Sequence, residues 1–176
     1  MKYFILKNIK KVYENKSLLE KKLSVKITIE GRKLSIHGNE VDEYIASSVF
    51  SAIEMGFDIE TALLISEQDY ILEKIEIKNL TNRHNLSEVR ARIVGTDGRT
   101  KALIEELSDC RIVLHDNEVG IIGESETIRP CIRAIRSIIQ GSKQANVYAY
   151  LEKQRKILHP SDLGLRVNEE ETEENK

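Results

Sequence analysis

The tetrapeptide Gly95-Thr96-Asp97-Gly98 is the segment of the sequence whose residue types and spacing could do chemistry. Its two glycines allow a sharp turn and let a nucleic-acid backbone approach with no side chain in the way. The apolar spacing that follows predicts a helix over residues 99–108, whose N-terminal N–H groups would point at the same space and bind phosphate. Arg99 and Lys101 would add positive charge, and Thr100 a hydroxyl donor. The pattern therefore predicts a phosphate-binding loop.

A second interpretation of this loop is a tight helix–helix turn without a ligand, because two glycines at this spacing have little specificity on their own. An acidic side chain at Asp97 is unfavourable beside phosphate, but aspartate is also a strong helix N-cap. We therefore expect the Asp97 side chain to turn to the backbone of the following helix. The segment is not a Walker loop, since the G-x-x-x-x-G-K-[ST] spacing is missing.

The composition of the chain is that of a globular protein. It has 176 residues, 40% of them hydrophobic and 32% charged, with a formal net charge of −2. This length allows one ordinary domain or two small ones. Residues 160–176 carry six Asp and Glu against two Lys and Arg, whereas residues 81–159 carry 13 basic and 10 acidic side chains. The mildly basic later part of the chain permits a polyanionic partner.

Other classes of function find little support in the sequence. No apolar stretch approaches the roughly 18–20 residues of a membrane helix, and the apolar run at residues 3–6 is too short for a secretory signal. We therefore expect no membrane partner, a cytoplasmic location and reduced thiols at Cys110 and Cys131. The four histidines have no metal-ligand spacing with these cysteines, so we expect neither a metal nor another cofactor. No nucleophile–base pair stands out, which favours a protein that is not an enzyme.

An internal repeat organises the chain. When the sequence is shifted by 85 positions, residues 25–56 lie on residues 110–141 without a gap, and glycines match at both ends of a shared apolar pattern. Each copy predicts the order strand, helix, helix, strand, strand, helix, and Gly56 and Gly141 are expected to end the last helix of each copy in the left-handed conformation. The expected fold is α+β, with a three-stranded sheet and helices on one face in each unit.

This element order around a G-x-x-G loop is that of a type I KH domain, in which the loop clamps about four single-stranded nucleotides. We predict two tandem KH-like domains, over residues 1–68 and 69–158, the second including a C-terminal helix at 145–158. Residues 159–176 are predicted to be a disordered acidic tail. Aligning Leu19 with Leu103 puts residues 11–14, which contain no glycine, opposite the loop. The first domain is therefore predicted to be degenerate, without a phosphate clamp.

Several motifs of the second copy, in order, resemble a known family. They are Arg92-Ile-Val-Gly-Thr-Asp-Gly-Arg-Thr-Lys, Ile104-Glu, Arg111-Ile-Val-Leu and Ile121-Ile-Gly. Together they look like the second KH domain of the Partner-of-Nob-One/Dim-Two family of archaeal and eukaryotic ribosome-biogenesis proteins. In the first copy, Gly56-Phe57 and Ala62-Leu63 also resemble this family, and the compact chain fits its archaeal branch.

The resemblance implies a function in maturation of the small ribosomal subunit. Members bind single-stranded RNA near the 3′ end of small-subunit ribosomal RNA and assist the endonuclease that trims it; in archaea the family is also linked to the alpha subunit of translation initiation factor two. We expect bases to lie along the strand from Arg111, over an apolar floor. The residues expected to contact RNA are Ile93, Gly95, Thr96, Asp97, Gly98, Arg99, Thr100, Lys101, Arg111 and Ile112. The alternatives are a protein–protein adaptor whose KH folds no longer bind RNA, and an undetected nuclease.

Overall fold

A computed structural model describes residues 2–5 and 9–160, which form two units of the same element order. The acidic tail lies outside the described residues from position 161 onwards. The first unit contains β1 (Lys2–Ile5), α1 (Ile9–Glu14), α2 (Lys16–Leu23), β2 (Lys26–Glu30), β3 (Lys33–His37), α3 (Glu40–Met55) and α4 (Ile59–Leu63). The second contains β4 (Tyr70–Glu76), α5 (Leu86–Val94), α6 (Arg99–Ser108), β5 (Arg111–His115), β6 (Glu118–Glu124), α7 (Ile128–Gln140) and α8 (Gln144–Leu158).

Both sheets have three antiparallel strands in the same spatial order. The last strand of each unit lies in the middle, giving β1–β3–β2 in the first sheet and β4–β6–β5 in the second. The predicted mixed α+β fold is therefore confirmed. None of the described helices is both long and apolar enough to cross a membrane. Within residues 2–5 and 9–160, no group of three acidic, histidine or cysteine side chains is placed to hold a metal ion.

The matching glycines of the repeat have matching structural roles. Gly56 and Gly141 end α3 and α7 in the left-handed conformation, each with φ of +108°, as the sequence predicts. Gly38 directly follows β3, and Gly123 is the second-last residue of β6. At each of them a Cβ would meet the side chain of the residue before the edge strand: Val25 Cγ1 at 2.9 Å in the first unit and Cys110 Sγ in the second. These glycines are required by chain packing in both units.

A glutamate repeated in both units ties a helix to the edge strand. Glu20 Oε1 accepts a hydrogen bond from the N–H of Ile27 at 2.8 Å, and 85 residues later Glu105 Oε1 accepts one from Ile112 at 2.7 Å. A lysine one helical turn earlier pairs with each glutamate, at 3.9 Å in α2 and 3.1 Å in α6. The repeat of 85 positions therefore extends upstream of the strands.

This contact corrects the predicted alignment of the two loops. Leu19 is fully buried and matches fully buried Ile104, whereas Leu103 is partly exposed. The predicted alignment paired Leu19 with Leu103, 84 positions later, because both residues are leucines. The buried positions of the two units instead match at a separation of 85 residues. Residues 10–13, inside α1, therefore lie opposite the glycine loop, instead of residues 11–14.

The strand β6 has both of its faces buried, one in the core of each unit. Successive side chains of a strand point to opposite faces, and Ile121 belongs to the core of the second unit while Ile122 belongs to that of the first. At Gly120 a Cβ would lie 2.8 Å from Met55 Cε and 2.9 Å from Phe57 Cε2. The first unit thus covers the second sheet through a shared hydrophobic interface. The domain boundaries at 68 and 158 stay predictions.

Candidate nucleic-acid interface

The glycine loop is a compact turn between α5 and α6. Three of its four residues have positive φ: Gly95 at +74°, Asp97 at +51° and Gly98 at +75°. The N–H of Gly95 donates to the carbonyl of Ala91 at 2.8 Å, and the N–H of Gly98 donates to the carbonyl of Gly95 at 3.3 Å. Left-handed conformations favour glycine and tolerate aspartate. The sequence of the loop therefore suits its backbone.

The two glycines of the loop differ in what surrounds them. A Cβ on Gly95 would clash with Thr100, at 2.6 Å from its Cβ and 2.8 Å from its backbone nitrogen. A Cβ on Gly98 would meet no atom within 4 Å. Packing within the chain therefore requires the first glycine, whereas the second keeps an open space at the start of α6.

The N-terminus of α6 has no side-chain cap. Gly98 is the N-cap residue, and no side chain within residues 2–5 and 9–160 accepts a hydrogen bond from the first turn of this ten-residue helix. The prediction that Asp97 caps α6 is wrong, because Asp97 lies in a left-handed conformation one residue before the cap position. The first N–H groups of α6 therefore face the open space at Gly98 without a side-chain acceptor, and the helix dipole favours an anion there.

The predicted cations are placed differently from one another. Arg99 and Arg111 are exposed, and Arg99 makes no ion pair within the described part of the chain. Lys101 Nζ lies 3.1 Å from both carboxylate oxygens of Glu105. The positive charge expected from Lys101 is therefore partly neutralised, because its ammonium is held against Glu105, one turn into α6.

Three of the residues expected to contact RNA are inside the fold. Ile93, Thr100 and Ile112 are 0%, 4% and 1% exposed. Thr100 Oγ1 accepts hydrogen bonds from Gln144 Nε2 at 2.9 Å and from the Tyr148 hydroxyl at 3.2 Å, which tie the loop to α8. The predictions of a hydroxyl donor at Thr100 and of an exposed apolar floor are therefore corrected. These three side chains are buried beneath the loop and the edge strand and support them. The other seven stay predicted contacts: Gly95, Thr96, Asp97, Gly98, Arg99, Lys101 and Arg111.

A groove of about 270 Å³ begins one helical turn beyond the loop. On one side it is lined by Lys101 and Glu105 of α6 and by residues 111–113 of the edge strand β5. Residues 56–58 and Thr61 of the first unit line the other side. The groove therefore combines residues that lie more than forty positions apart in sequence.

Sequence reasoning missed Asp58 and Thr61 in this groove, because no local pattern connects them with the loop. Asp58 is the N-cap of α4, and its two oxygens accept hydrogen bonds from the N–H and the hydroxyl of Thr61 at 2.8 and 2.7 Å. Burial of the Asp58 carboxylate raises its pKa, but the bonds from Thr61, together with the backbone N–H groups of Asp58 and Glu60, outweigh burial and hold the pKa below its ordinary value. Asp58 is thus an anion at neutral pH. Glu105 could have been found by extending the repeat upstream to Glu20.

Comparisons with known proteins agree with this geometry. Residues 71–156 match the family model of the second PNO1 KH domain, a eukaryotic type KH domain (KH-domain type I). The chain is 29% identical over 147 residues to a KH domain-containing protein of Methanocaldococcus jannaschii, covering 80% of this chain and 65% of that protein. It is 33% identical over 138 residues to the pre-rRNA-processing protein PNO1 of Debaryomyces hansenii, covering 74% of this chain and 54% of the relative. The chain thus spans between half and two thirds of these curated relatives.

A solved structure extends the similarity over most of the chain. The complex of a/eIF2alpha, aDim2p and rRNA from Pyrococcus horikoshii contains a chain with 28% sequence identity and a TM-score of 0.78. The superposition covers 89% of this chain and 94% of that one. The similarity therefore includes the first unit, which the family model does not cover.

Proposed function

Because the chain belongs to the Partner-of-Nob-One/Dim-Two family of KH-domain proteins, we propose that it binds single-stranded RNA during biogenesis of the small ribosomal subunit. The proposed target is the 3′ region of small-subunit rRNA, whose maturation the protein assists. The names of the relatives support a role in pre-rRNA processing, and the complex from Pyrococcus horikoshii contains rRNA.

The observation that carries this proposal is the open space at Gly98. The first unit forms the same sheet and the same helix–strand contact with an ordinary helix, α1, opposite the loop. Packing within the chain therefore does not require a glycine at position 98, where a Cβ would have no neighbour within 4 Å. The φ of +75° favours glycine there but does not demand it, since Asp97 adopts a φ of +51° in the same loop. A ligand that approaches the backbone at the start of α6 accounts for a glycine there.

In the proposed mechanism, backbone N–H groups of the loop and of the first turn of α6 hold phosphates, and Arg99 adds a screened positive charge. Bases turn toward the edge strand β5, where unstacked single-stranded RNA can present its hydrogen-bonding edges. The proposal treats residues 1–68 as a degenerate type I KH-like domain and residues 69–158 as the RNA-binding one.

The proposed protein partners are the alpha subunit of translation initiation factor two and the endonuclease that trims the rRNA 3′ end. The presence of a/eIF2alpha in the complex from Pyrococcus horikoshii supports the first of these. The same observation favours a second candidate function, a protein–protein adaptor with KH folds. RNA binding that depends on the glycine loop separates the two functions.

The test compares Gly98→Asp with Gly31→Asp. Gly31 lies in the turn between β2 and β3 with φ of +64° and, like Gly98, has no atom within 4 Å of the point that a Cβ would occupy. Both variants introduce the same backbone strain and the same charge. The melting temperature measured by circular dichroism should therefore fall by a similar amount in both. We expect Gly98→Asp to weaken binding of single-stranded RNA by more than about tenfold, because its carboxylate opposes phosphate at the helix N-terminus. Equal affinities of the two variants would favour the adaptor.

A further inference from the structure

We infer that the groove between the two units holds a nucleobase, and that Asp58 of the first unit selects bases that carry an amino group. The inference rests on the proposed RNA-binding function and adds a base-reading site to it. Asp58 lies outside residues 71–156, which match the KH domain model. The first unit would thus contribute to base recognition although it lacks a glycine loop.

The two walls of the groove carry opposite charges. Lys101 and Arg111 line the wall made by α6 and β5, and Glu105 neutralises only the lysine. Asp58 lines the facing wall. Phosphates are attracted to the side of Arg111 and of the loop, and they are repelled by the carboxylate. A nucleotide in the groove therefore lies with its backbone toward the second unit and its base toward Asp58.

The carboxylate of Asp58 is a hydrogen-bond acceptor only. Each of its oxygens accepts one bond from Thr61, and these bonds together with the backbone N–H groups of Asp58 and Glu60 hold its pKa below the ordinary value and keep it ionised. A group that binds this carboxylate must therefore be a hydrogen-bond donor.

The segment that carries Asp58 is fixed by the fold. Gly56 ends α3, Phe57 is 2% exposed in the core of the first unit, and Asp58 caps α4 through Thr61. The carboxylate is therefore positioned before any ligand binds, which avoids the entropic cost of ordering it.

Nucleobases differ in what they offer to such an acceptor. Adenine, cytosine and guanine have exocyclic amino groups that donate to a carboxylate, as in the pairing of acidic side chains with cytosine N4. Uracil has only its N3–H, flanked by two carbonyl oxygens that the carboxylate repels. We expect a preference of about tenfold for amino-bearing bases over uracil at this site.

The experiment measures the affinity of the full chain for the single-stranded RNA octamers A8, C8 and U8. Asp58→Asn keeps the N-cap, since asparagine caps as well as aspartate does, but it puts an amide donor where an acceptor was. Glu60→Gln is the matched control, because it removes one negative charge from the same helix at an exposed position that does not line the groove.

The expected result is that the intact protein and Glu60→Gln bind A8 and C8 about tenfold more tightly than U8, and that Asp58→Asn loses this ratio. Asp58→Ser, which also keeps a cap, should lose it as well and serves if the asparagine variant fails to fold. An unchanged ratio in both variants, or an equal loss in Glu60→Gln, would overturn the base-reading site while leaving RNA binding intact. Absence of binding to all three octamers would instead overturn the proposed function itself.

Discussion

The two units of this protein share three contacts that hold the fold and differ at the loop. Both have the left-handed glycine at the end of the long helix, the close-packed glycine at the end of the middle strand, and the glutamate that binds the edge strand. Only the second has an open glycine before its second helix, while the first has the exposed Tyr13 of α1 at the matching position. The comparison separates glycines that close packing requires from one that close packing does not require.

The sheets of the two units also differ in what covers them. The middle strand of the second sheet is buried on both faces, because the first unit packs on Gly120 and Ile122 of β6. In the first sheet the residue that matches Gly120 is Ser35, which is only partly buried. One strand position thus has two environments within the same fold.

The largest effect on stability is expected from putting valine at this position in both sheets. Gly120→Val forces atoms against Met55 and Phe57 and should lower the free energy of unfolding by about 2 kcal/mol, as overpacking does. Ser35→Val, on the partly exposed face, should change it by less than about 0.5 kcal/mol. Chemical denaturation of both variants is the measurement, and equal effects would contradict the interface described for β6.

A smaller and equal effect is expected from removing the repeated glutamate in either unit. Glu105→Ala leaves the N–H of Ile112 without its acceptor, and Glu20→Ala does the same to Ile27. Each should lower the free energy of unfolding by about 1 kcal/mol, the range for a lost hydrogen bond at a partly buried site. A much larger loss for one glutamate in the same denaturation experiment would show that the two contacts are not equivalent.

The smallest effect is expected at the residues that follow the two loops. Arg99→Ala should weaken single-stranded RNA binding by about threefold and reduce the slope of log affinity against log salt by about 0.7, as for one lost phosphate contact. Glu14→Ala, at the matching position of the first unit, should leave that slope unchanged. Titrations at several salt concentrations measure it, and an unchanged slope for Arg99→Ala would remove Arg99 from the interface.

Much of this structure follows from local sequence patterns. The predicted helix over 99–108 and the left-handed ends at Gly56 and Gly141 are confirmed, because alternation, helical spacing and glycine caps are properties of adjacent residues. The fold of the first unit followed from the repeat alone. These features needed no knowledge of contacts between the units.

The parts that the sequence did not reveal depend on contacts across long sequence distances. Ile93 and Ile112 were predicted to form the floor of a groove, but Ile93 is fully buried and only Ile112, which is 1% exposed, lines the groove. Thr100 was expected to donate to phosphate, yet α8 supplies its partners from 44 and 48 residues away. Asp58 reaches the groove only because the first unit covers the second sheet.

The glutamate that binds each edge strand also affects how the protein behaves beside other copies of itself. β2 and β5 lie at the edges of their sheets, and an exposed edge can recruit a strand from another chain. Glu20 and Glu105 occupy one N–H donor on each of these edges and place a negative charge there. An incoming strand must displace a carboxylate before it can pair. The contact that anchors each helix therefore also protects the chain against edge-to-edge aggregation.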